Sequence, residues 1–233
     1  MTTTRLAIVG DGRMGRAVRE LASDAGFGVV AFLGDREVAA SGPTALQLGG
    51  AQVAIEFTVP GAAAANVVAC ARAGVPVICG TTGWDAAYDA TAAAVSAAGG
   101  AVLWSPNFSL GVHLFARIVE RAAAEVAALP DSFDAHLLET HHAAKLDAPS
   151  GTARMLETRA QRALGRTVPV TSVRTGHVPG THELIFDAAF EQIRLSHVAR
   201  DRRVFASGAL AAARWIVGRK GVFTMDDMFE GLR

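Results

Sequence analysis

Apolar positions along the first half of the chain follow two rhythms. Short unbroken runs at 5–9, 28–33, 53–57, 75–79 and 101–104 predict strands, and 75–79 has the continuous character of one buried on both faces. Between them, 14–25 carries Met14, Val18, Leu21, Ala22 and Ala25 at spacings of three and four, the signature of one helical face. The Ala-rich stretch 62–73 and the stretch 85–98, with Asp85 as its cap, predict two more helices. Strand–helix repetition of this kind implies a doubly wound parallel sheet with helices on both faces, an α/β fold.

The second half changes pattern near 106–111, which marks the domain boundary. A long helix is predicted over 112–128, with Leu114, Phe115, Ile118 and Val119 as its apolar positions. A strand over 134–140 and a helix over 151–164 follow, then neighbouring strands over 181–187 and 192–198, and a last helix over 206–217. In 192–198, Ile193 and Leu195 alternate with Gln192, Arg194 and Ser196, which predicts one wet face. This half reads as an α+β domain with an open mixed sheet and helices on one side.

Composition narrows the functional classes. With 51% hydrophobic and 19% charged residues among 233, the chain is too apolar to be disordered. Lys+Arg and Asp+Glu both number 22, and a zero net charge argues against a nucleic-acid binder. Cys70 and Cys79 fit no common zinc spacing and are expected to be buried free thiols in a reducing compartment. The stretch 90–116 contains no Asp, Glu, Lys or Arg and is long enough to span a bilayer. Gly99, Gly100, Ser105, Pro106 and Asn107 interrupt it with turn signals, so it is read as a helix end, a strand, a loop and a helix start. The first apolar run is too short for a secretory signal. A cytoplasmic chain that engages no membrane is expected.

The first chemical motif is Gly10, Asp11, Gly12, Arg13, Met14, Gly15, a GxGxxG between a predicted strand and a predicted helix. Gly10 permits the tight turn, Gly12 lets a pyrophosphate approach the main chain, and Gly15 lets helix and strand pack closely. The helix N-terminus then holds the phosphates. Asp35 stands where a ribose-binding acid belongs and favours the free 2′-hydroxyl of NADH. Its neighbour Arg36 suits the 2′-phosphate of NADPH, so either cofactor, or both, is expected. Two further loops follow strands, Gly80, Thr81, Thr82, Gly83 and Ser105, Pro106, Asn107, Phe108. Both fall outside strand carboxyl ends and complete one expected cofactor crevice.

The densest polar cluster runs from Glu139 through His141, His142, Lys145 and Asp147 to Ser150, Gly151 and Thr152. Neither HExxH nor a three-His spacing is present, and no metal is expected. A His can donate a proton near neutral pH, and a Lys can anchor a carboxylate. Ser150, Gly151 and Thr152 look like a helix start, with Ser150 at the cap and backbone N–H groups forming an anion site. His136, His177 and His197 are read as structural or surface residues. His182 falls on a predicted strand, where it would face a subunit interface. Trp84 and Trp104 flank the cofactor loops as packing residues.

The stretch 139–153 resembles, at every fixed position, the pattern E-x-H-H-x-x-K-x-D-x-P-S-G-T-A of the 4-hydroxy-tetrahydrodipicolinate reductase (dihydrodipicolinate reductase) family. Blocks at 12–15, 56–60, 80–83, 105–112, 174–176, 180–182, 205–209 and 225–227 continue the resemblance in order. Glu56 stands where that pattern more often has Asp. The resemblance implies a Rossmann domain made of 1–108 and 202–233, and a domain of 109–201 that binds substrate and builds a homotetramer. It implies NADH- or NADPH-dependent reduction of a cyclic imine dicarboxylate in diaminopimelate and lysine biosynthesis. His141 would be the proton donor, with Lys145 assisting and holding substrate. His142, Ser150, Gly151 and Thr152 would bind the dicarboxylate. Two other readings are weighed. One is another two-domain dehydrogenase, of the aspartate-semialdehyde or homoserine type; the former would need a loop cysteine, whereas Cys70 and Cys79 fall in a helix and a strand. A nucleotide-sensing regulator would need a DNA-binding module, and it leaves the 141–152 cluster without a purpose.

Overall fold

The computed structural model describes residues 3–231 and divides into two compact units, Met1–Ser109 with Arg203–Arg233, and Leu110–Arg202. The first unit is built on strands β1 (Thr4–Val9), β2 (Phe27–Leu33), β3 (Val53–Glu56), β4 (Val77–Cys79), β5 (Ala101–Trp104) and β10 (Gly221–Phe223). All pair in parallel, in the order β10-β5-β4-β3-β1-β2. Strand order reverses at β1, so the crevice outside the carboxyl ends of β1 and β3 is the place where a doubly wound sheet takes a ligand.

Alternation along the strands sends two sets of side chains to two faces. Ala7, Val9, Ala54, Val77, Cys79 and Val102 join one buried cluster with Val67 and Val95, which lie on helices α2 (Pro60–Arg72) and α3 (Tyr88–Ala97). Leu6, Ile8, Ile55, Ile78 and Leu103 are equally buried and alternate with that set. Helices α1 (Arg13–Ala22) and α6 (Arg203–Ile216) pack on each other, and α6 packs on β3, β4 and β5.

Several expectations need correction. Asp85 is not a helix cap: it opens a 3-10 turn, Asp85–Ala87, with Trp84 before it, and Ala87 holds the cap position of α3, which begins at Tyr88. Met14 and Leu21 are only half-buried, and Gly15, Val18 and Ala22 form the buried stripe of α1. The charge-free stretch resolves into the end of α3, β5, a loop and the start of α4 (Leu110–Val126). No helix among the described residues is long and apolar enough to cross a membrane. Cys70 and Cys79 are buried and free. Burial raises the Cys70 pKa to about 12 and that of Cys79 well above its ordinary value, so both stay as unreactive thiols.

The second unit has a four-stranded mixed sheet ordered β7-β6-β8-β9, made of β6 (Asp134–His141), β7 (Val170–Arg174), β8 (Thr181–Asp187) and β9 (Gln192–Val198). β6 runs parallel to β7 and antiparallel to β8. Helices α4 and α5 (Gly151–Leu164) pack together, and Phe115, Val119, Leu156 and Ala160 bury Leu137, Leu184 and Phe186 beneath them. Two expected apolar positions on α4 turn outward: Leu114 is 52% exposed and Ile118 44%. Their neighbours Val112, Phe115, Ala116 and Val119 form the buried stripe instead. On β9 the expected dry face is thin, because Ile193 at the sheet edge remains 42% exposed.

Candidate active site

Each unit carries one candidate site. In the first, β1 ends at Val9, Gly10 turns the chain, and α1 begins at Arg13, with Gly12 as its cap. The three glycines do different work. A Cβ on Gly10 would lie 2.1 Å from the Phe57 carbonyl oxygen, and its φ of +111° belongs to glycine. A Cβ on Gly15 would lie 1.8 Å from the Gly10 carbonyl oxygen. At Gly12 a Cβ would meet nothing within 4 Å, which leaves main chain open to a ligand. No side chain caps α1, and its first turn holds no acid. Open backbone at an uncapped helix N-terminus fits a pyrophosphate. Asp11, Gly12 and Arg13 are exposed there, and Met14 is half-buried.

Asp35 and Arg36 are both exposed, just beyond β2. A third group stands beside them that sequence reasoning did not single out. Glu37 Oε2 accepts from the Gly34 N–H at 2.8 Å, and a Cβ on Gly34 would crowd both Glu37 and the Asp11 carboxyl. Asp11, Asp35 and Glu37 therefore gather acid near the expected ribose position.

The other two loops are pinned from beneath. The indole N–H groups of Trp84 and Trp104 both donate to the Thr81 carbonyl, at 2.8 and 3.1 Å. These tryptophans thus fix a loop as well as pack. The Thr81 hydroxyl accepts from the Thr58 N–H at 2.8 Å, tying the loops after β3 and β4. Thr58 and Asn66 in turn bond the buried Glu56 carboxylate, to which Cys79 Sγ donates at 3.1 Å. A Cβ on Gly80 would strike the Phe57 ring, which meets Phe108 edge-on at 6.1 Å. Ser105 Oγ closes its own turn onto the Asn107 carbonyl at 2.7 Å. Phe108 and Thr81 are thus buried supports, while Thr82, Gly83 and Pro106 lie exposed and Asn107 half-exposed.

In the second unit the chemistry converges on one carboxylate. Glu139, on β6, is 1% exposed. Its Oε1 accepts from the Ser150 N–H at 3.0 Å, from Ser172 Oγ at 2.6 Å and from Arg174 Nη2 at 2.8 Å. Strand register explains the convergence: Glu139 lies opposite Ser172 on β7 and opposite His182 on β8. Burial by itself would raise the Glu139 pKa, but these hydrogen bonds hold it at about 2. Its other oxygen, Oε2, lies 3.3 Å from His141 Nδ1 and 3.8 Å from His182 Nε2. Neither contact is aligned as a hydrogen bond in this geometry.

His141 and His182 meet edge-to-face at 5.1 Å. Burial, reinforced by the neighbouring His141, lowers the His182 pKa to about 4. Burial also lowers that of His141, against the pull of Glu139. His182 therefore faces inward onto this network, rather than outward to an interface as its sequence position suggested. The ligand-type atoms of Glu139, His141 and His182 lie within 4.8 Å of one another. The Arg174 guanidinium on the same carboxylate disfavours a cation there, and the cluster is read as a hydrogen-bonding one.

Ser150 caps α5, its Oγ accepting from the Ala153 N–H at 3.1 Å. With its N–H on Glu139 and its hydroxyl on the cap, Ser150 shapes the helix start. Gly151 is exposed at the first position of α5, and Thr152 is half-buried. Lys145 pairs with Asp147 at 2.6 Å, which lowers the Asp147 pKa. His142 is half-buried, and its carbonyl accepts from the Lys145 N–H at 3.1 Å. Arg174 also holds the Asp147 carbonyl, tying the 142–150 loop to β7. His141, Lys145 and the start of α5 are thus brought to one place. What sequence reasoning missed is the tie itself, through Glu139, Ser172, Arg174 and His182. Strand pairing carries that signal, and spacing along the chain does not.

Comparison with known proteins supplies a family. The family model described as dihydrodipicolinate reductase, N-terminus, matches residues 4–108, and its C-terminus counterpart matches 111–229. The chain is 39% identical to a 4-hydroxy-tetrahydrodipicolinate reductase of Thiobacillus denitrificans, covering 97% of this chain and 98% of that protein. To the protein of the same name from Christiangramia forsetii it is 32% identical, with the same coverage. Among solved structures, dipicolinate-bound dihydrodipicolinate reductase from Paenisporosarcina sp. TG-14 superposes with a TM-score of 0.78 at 21% identity, covering 95% of this chain and 97% of that one.

Proposed function

The chain belongs to the dihydrodipicolinate reductase family, and on that premise we propose that it reduces 4-hydroxy-tetrahydrodipicolinate to tetrahydrodipicolinate, with loss of water, in diaminopimelate and lysine biosynthesis. The observation that carries this reading is the shared carboxylate of Glu139, which links the His141 side chain to the N-terminus of α5. It puts a proton donor and an anion cradle in one place, as reduction of a cyclic dicarboxylate requires.

The reduced nicotinamide supplies the hydride when bound, its pyrophosphate held by the open backbone at Gly12 and the start of α1. Arg13 and Met14, with Gly80, Thr81 and Thr82 and with 105–108, border the same crevice. Asp35 and Arg36 choose between a ribose hydroxyl and a 2′-phosphate, and either nucleotide serves. In the second unit, the N–H groups at Gly151 and Thr152 bind one substrate carboxylate through the helix N-terminus. His142 and Lys145 hold the dicarboxylate by charge and hydrogen bonding. Hydride addition leaves electron density on the enamine, and His141 delivers a proton to the adjacent ring carbon. Lys145 supports that protonation by holding the substrate's negative charge.

The chain works in the cytoplasm as a homotetramer assembled through its second unit. Exposed Val198 on edge strand β9 and Val173 on β7 share the sheet face turned away from α4 and α5 and support a covered sheet in the assembly. Light scattering on the purified chain measures that mass.

The deciding experiment is a coupled assay. Pyruvate and aspartate semialdehyde are condensed by the upstream synthase, and nucleotide oxidation is followed with NADH and NADPH in parallel. Synthase-dependent oxidation is expected. Folded protein that binds nucleotide yet oxidises none under these conditions would overturn the substrate assignment.

A further inference from the structure

The proton donor is held on one side and left open on the other, and both features come from residues without an assigned role. Three donors on Oε1 leave Glu139 no freedom to rotate, so Oε2 is fixed at 3.3 Å from His141 Nδ1. On the far side of the ring stands Gly180, with φ +154°. A Cβ there would lie 3.1 Å from His141 Nε2 and 3.4 Å from Cδ2, closer than a side chain is comfortably accommodated. The main chain of His141 is fixed as well, its carbonyl accepting from the Thr175 N–H at 2.9 Å.

We propose that Glu139 is the positioning residue of the proton donor: it holds neutral His141 as the Nδ1–H tautomer, so that Nε2, kept clear by Gly180, is the nitrogen that takes up a proton from solvent and, from the resulting imidazolium, delivers it to the substrate. The proposal rests on the reductase reading for the word donor, and on geometry alone for the tautomer. An ionised carboxylate can only accept and repels a facing lone pair, so with Oε2 at 3.3 Å the neutral ring carries its proton on Nδ1 even though the contact is not aligned as a hydrogen bond. Glu139 is ionised throughout the working range, since its own hydrogen bonds hold its pKa at about 2. The groups facing His141 are Glu139 on its own strand, Arg174 from β7, His182 from β8, and Lys145 and Asp147 from the following loop. His197 on β9 faces the His182 ring. Of these, Glu139 and Asp147 favour the imidazolium, and Glu139 does so more strongly.

Imidazole nitrogen NMR on the full-length chain tests this without substrate. The His141 signals are assigned by their loss in His141→Gln. The expected result in the wild-type chain is a neutral His141 with its proton on Nδ1. In Glu139→Gln the amide donates to Nδ1, so the neutral tautomer switches to Nε2–H and the His141 pKa falls by about one unit. The alkaline limb of kcat/KM moves down with it, so the loss of activity is larger at pH 8 than at pH 6. A purely structural role predicts loss of the same size at every pH, with the limb unmoved.

An Nε2–H tautomer in the wild-type chain overturns the proposal, even if Glu139→Gln fails to fold. So does an unchanged His141 pKa in a folded Glu139→Gln protein. A wild-type chain inactive in the coupled assay, with tautomer and shift as expected, overturns the reaction assigned above and upholds the coupling of Glu139 to His141.

Discussion

The Ser150 N–H donates to Glu139 Oε1 at 3.0 Å, and this one bond joins strand β6 to the start of helix α5. His141 ends the same strand two residues later, so one carboxylate ties the acid to the anion cradle. Ser150 also caps the helix with its hydroxyl. Ser150→Ala keeps the backbone bond and removes the cap, and should lower stability by about 1 kcal/mol in a urea titration.

His141→Gln should lower kcat by roughly 10²- to 10⁴-fold while KM changes little, because a transition-state proton donor is removed. Steady-state kinetics in the coupled assay measure both constants. Near-normal kcat would exclude His141 as the donor.

Two buried groups, His182 and Glu139, contribute to the acid stability. Unfolded, His182 takes up its proton near 6.5, and folded only near 4. Between those values the unfolded chain binds the extra proton, so the contribution is complete above pH 6.5 and is lost as pH falls toward 4. Glu139 follows in a lower window, from its ordinary 4.5 down to about 2, where protonation removes a carboxylate that the fold stabilises. Each window is worth a few kcal/mol at about 1.4 kcal/mol per pH unit. Unfolding curves at pH 7, 5.5 and 4 should show progressive loss. His182→Gln should flatten the step between 7 and 5.5.

The glycine-rich turn separates folding from binding. Gly15→Ala drives a Cβ into the Gly10 carbonyl and should destabilise the chain by about 1–3 kcal/mol, with or without nucleotide. Gly12→Ala meets no protein atom and should melt normally, yet bind reduced nucleotide at least tenfold more weakly. Thermal melts and fluorescence titration distinguish the two.

Nucleotide choice should respond to the pair at the end of β2. Arg36→Ala should lower kcat/KM for NADPH more than for NADH, and Asp35→Ala the reverse. The ratio of the two specificity constants, measured for each variant, is the readout.

Period and punctuation made the first sheet legible. Helix α5, and strands β8 and β9, begin and end where the pattern placed them, since Gly151 and Gly165 bracket one and clear alternation marks the others. Strand β7 was invisible because Val170–Arg174 is only half-buried and mixes Thr and Ser with Val. Strand β10 is three residues long and is held in place by its partner β5, not by its own composition. Leu114 and Ile118 misled because an apolar side chain at helical spacing need not face its own core. In the site, His141 and Lys145 announced themselves by type and spacing. Glu139 was visible as a letter in a motif, but its role depends on Ser172, Arg174 and His182, which lie 33 or more residues further along the chain.

The first unit leaves its sheet at Ser109 and resumes at Arg203. On the ribosome, the loops that would hold a nucleotide are therefore made early, but α6, which covers β3, β4 and β5, and the edge strand β10 are made only after the whole second unit. The intervening unit has all of its strands in hand before the first can close. Synthesis order thus delays a finished nucleotide crevice until the final thirty or so residues emerge, and a nascent chain halted before Arg203 would present β3, β4 and β5 without their covering helix.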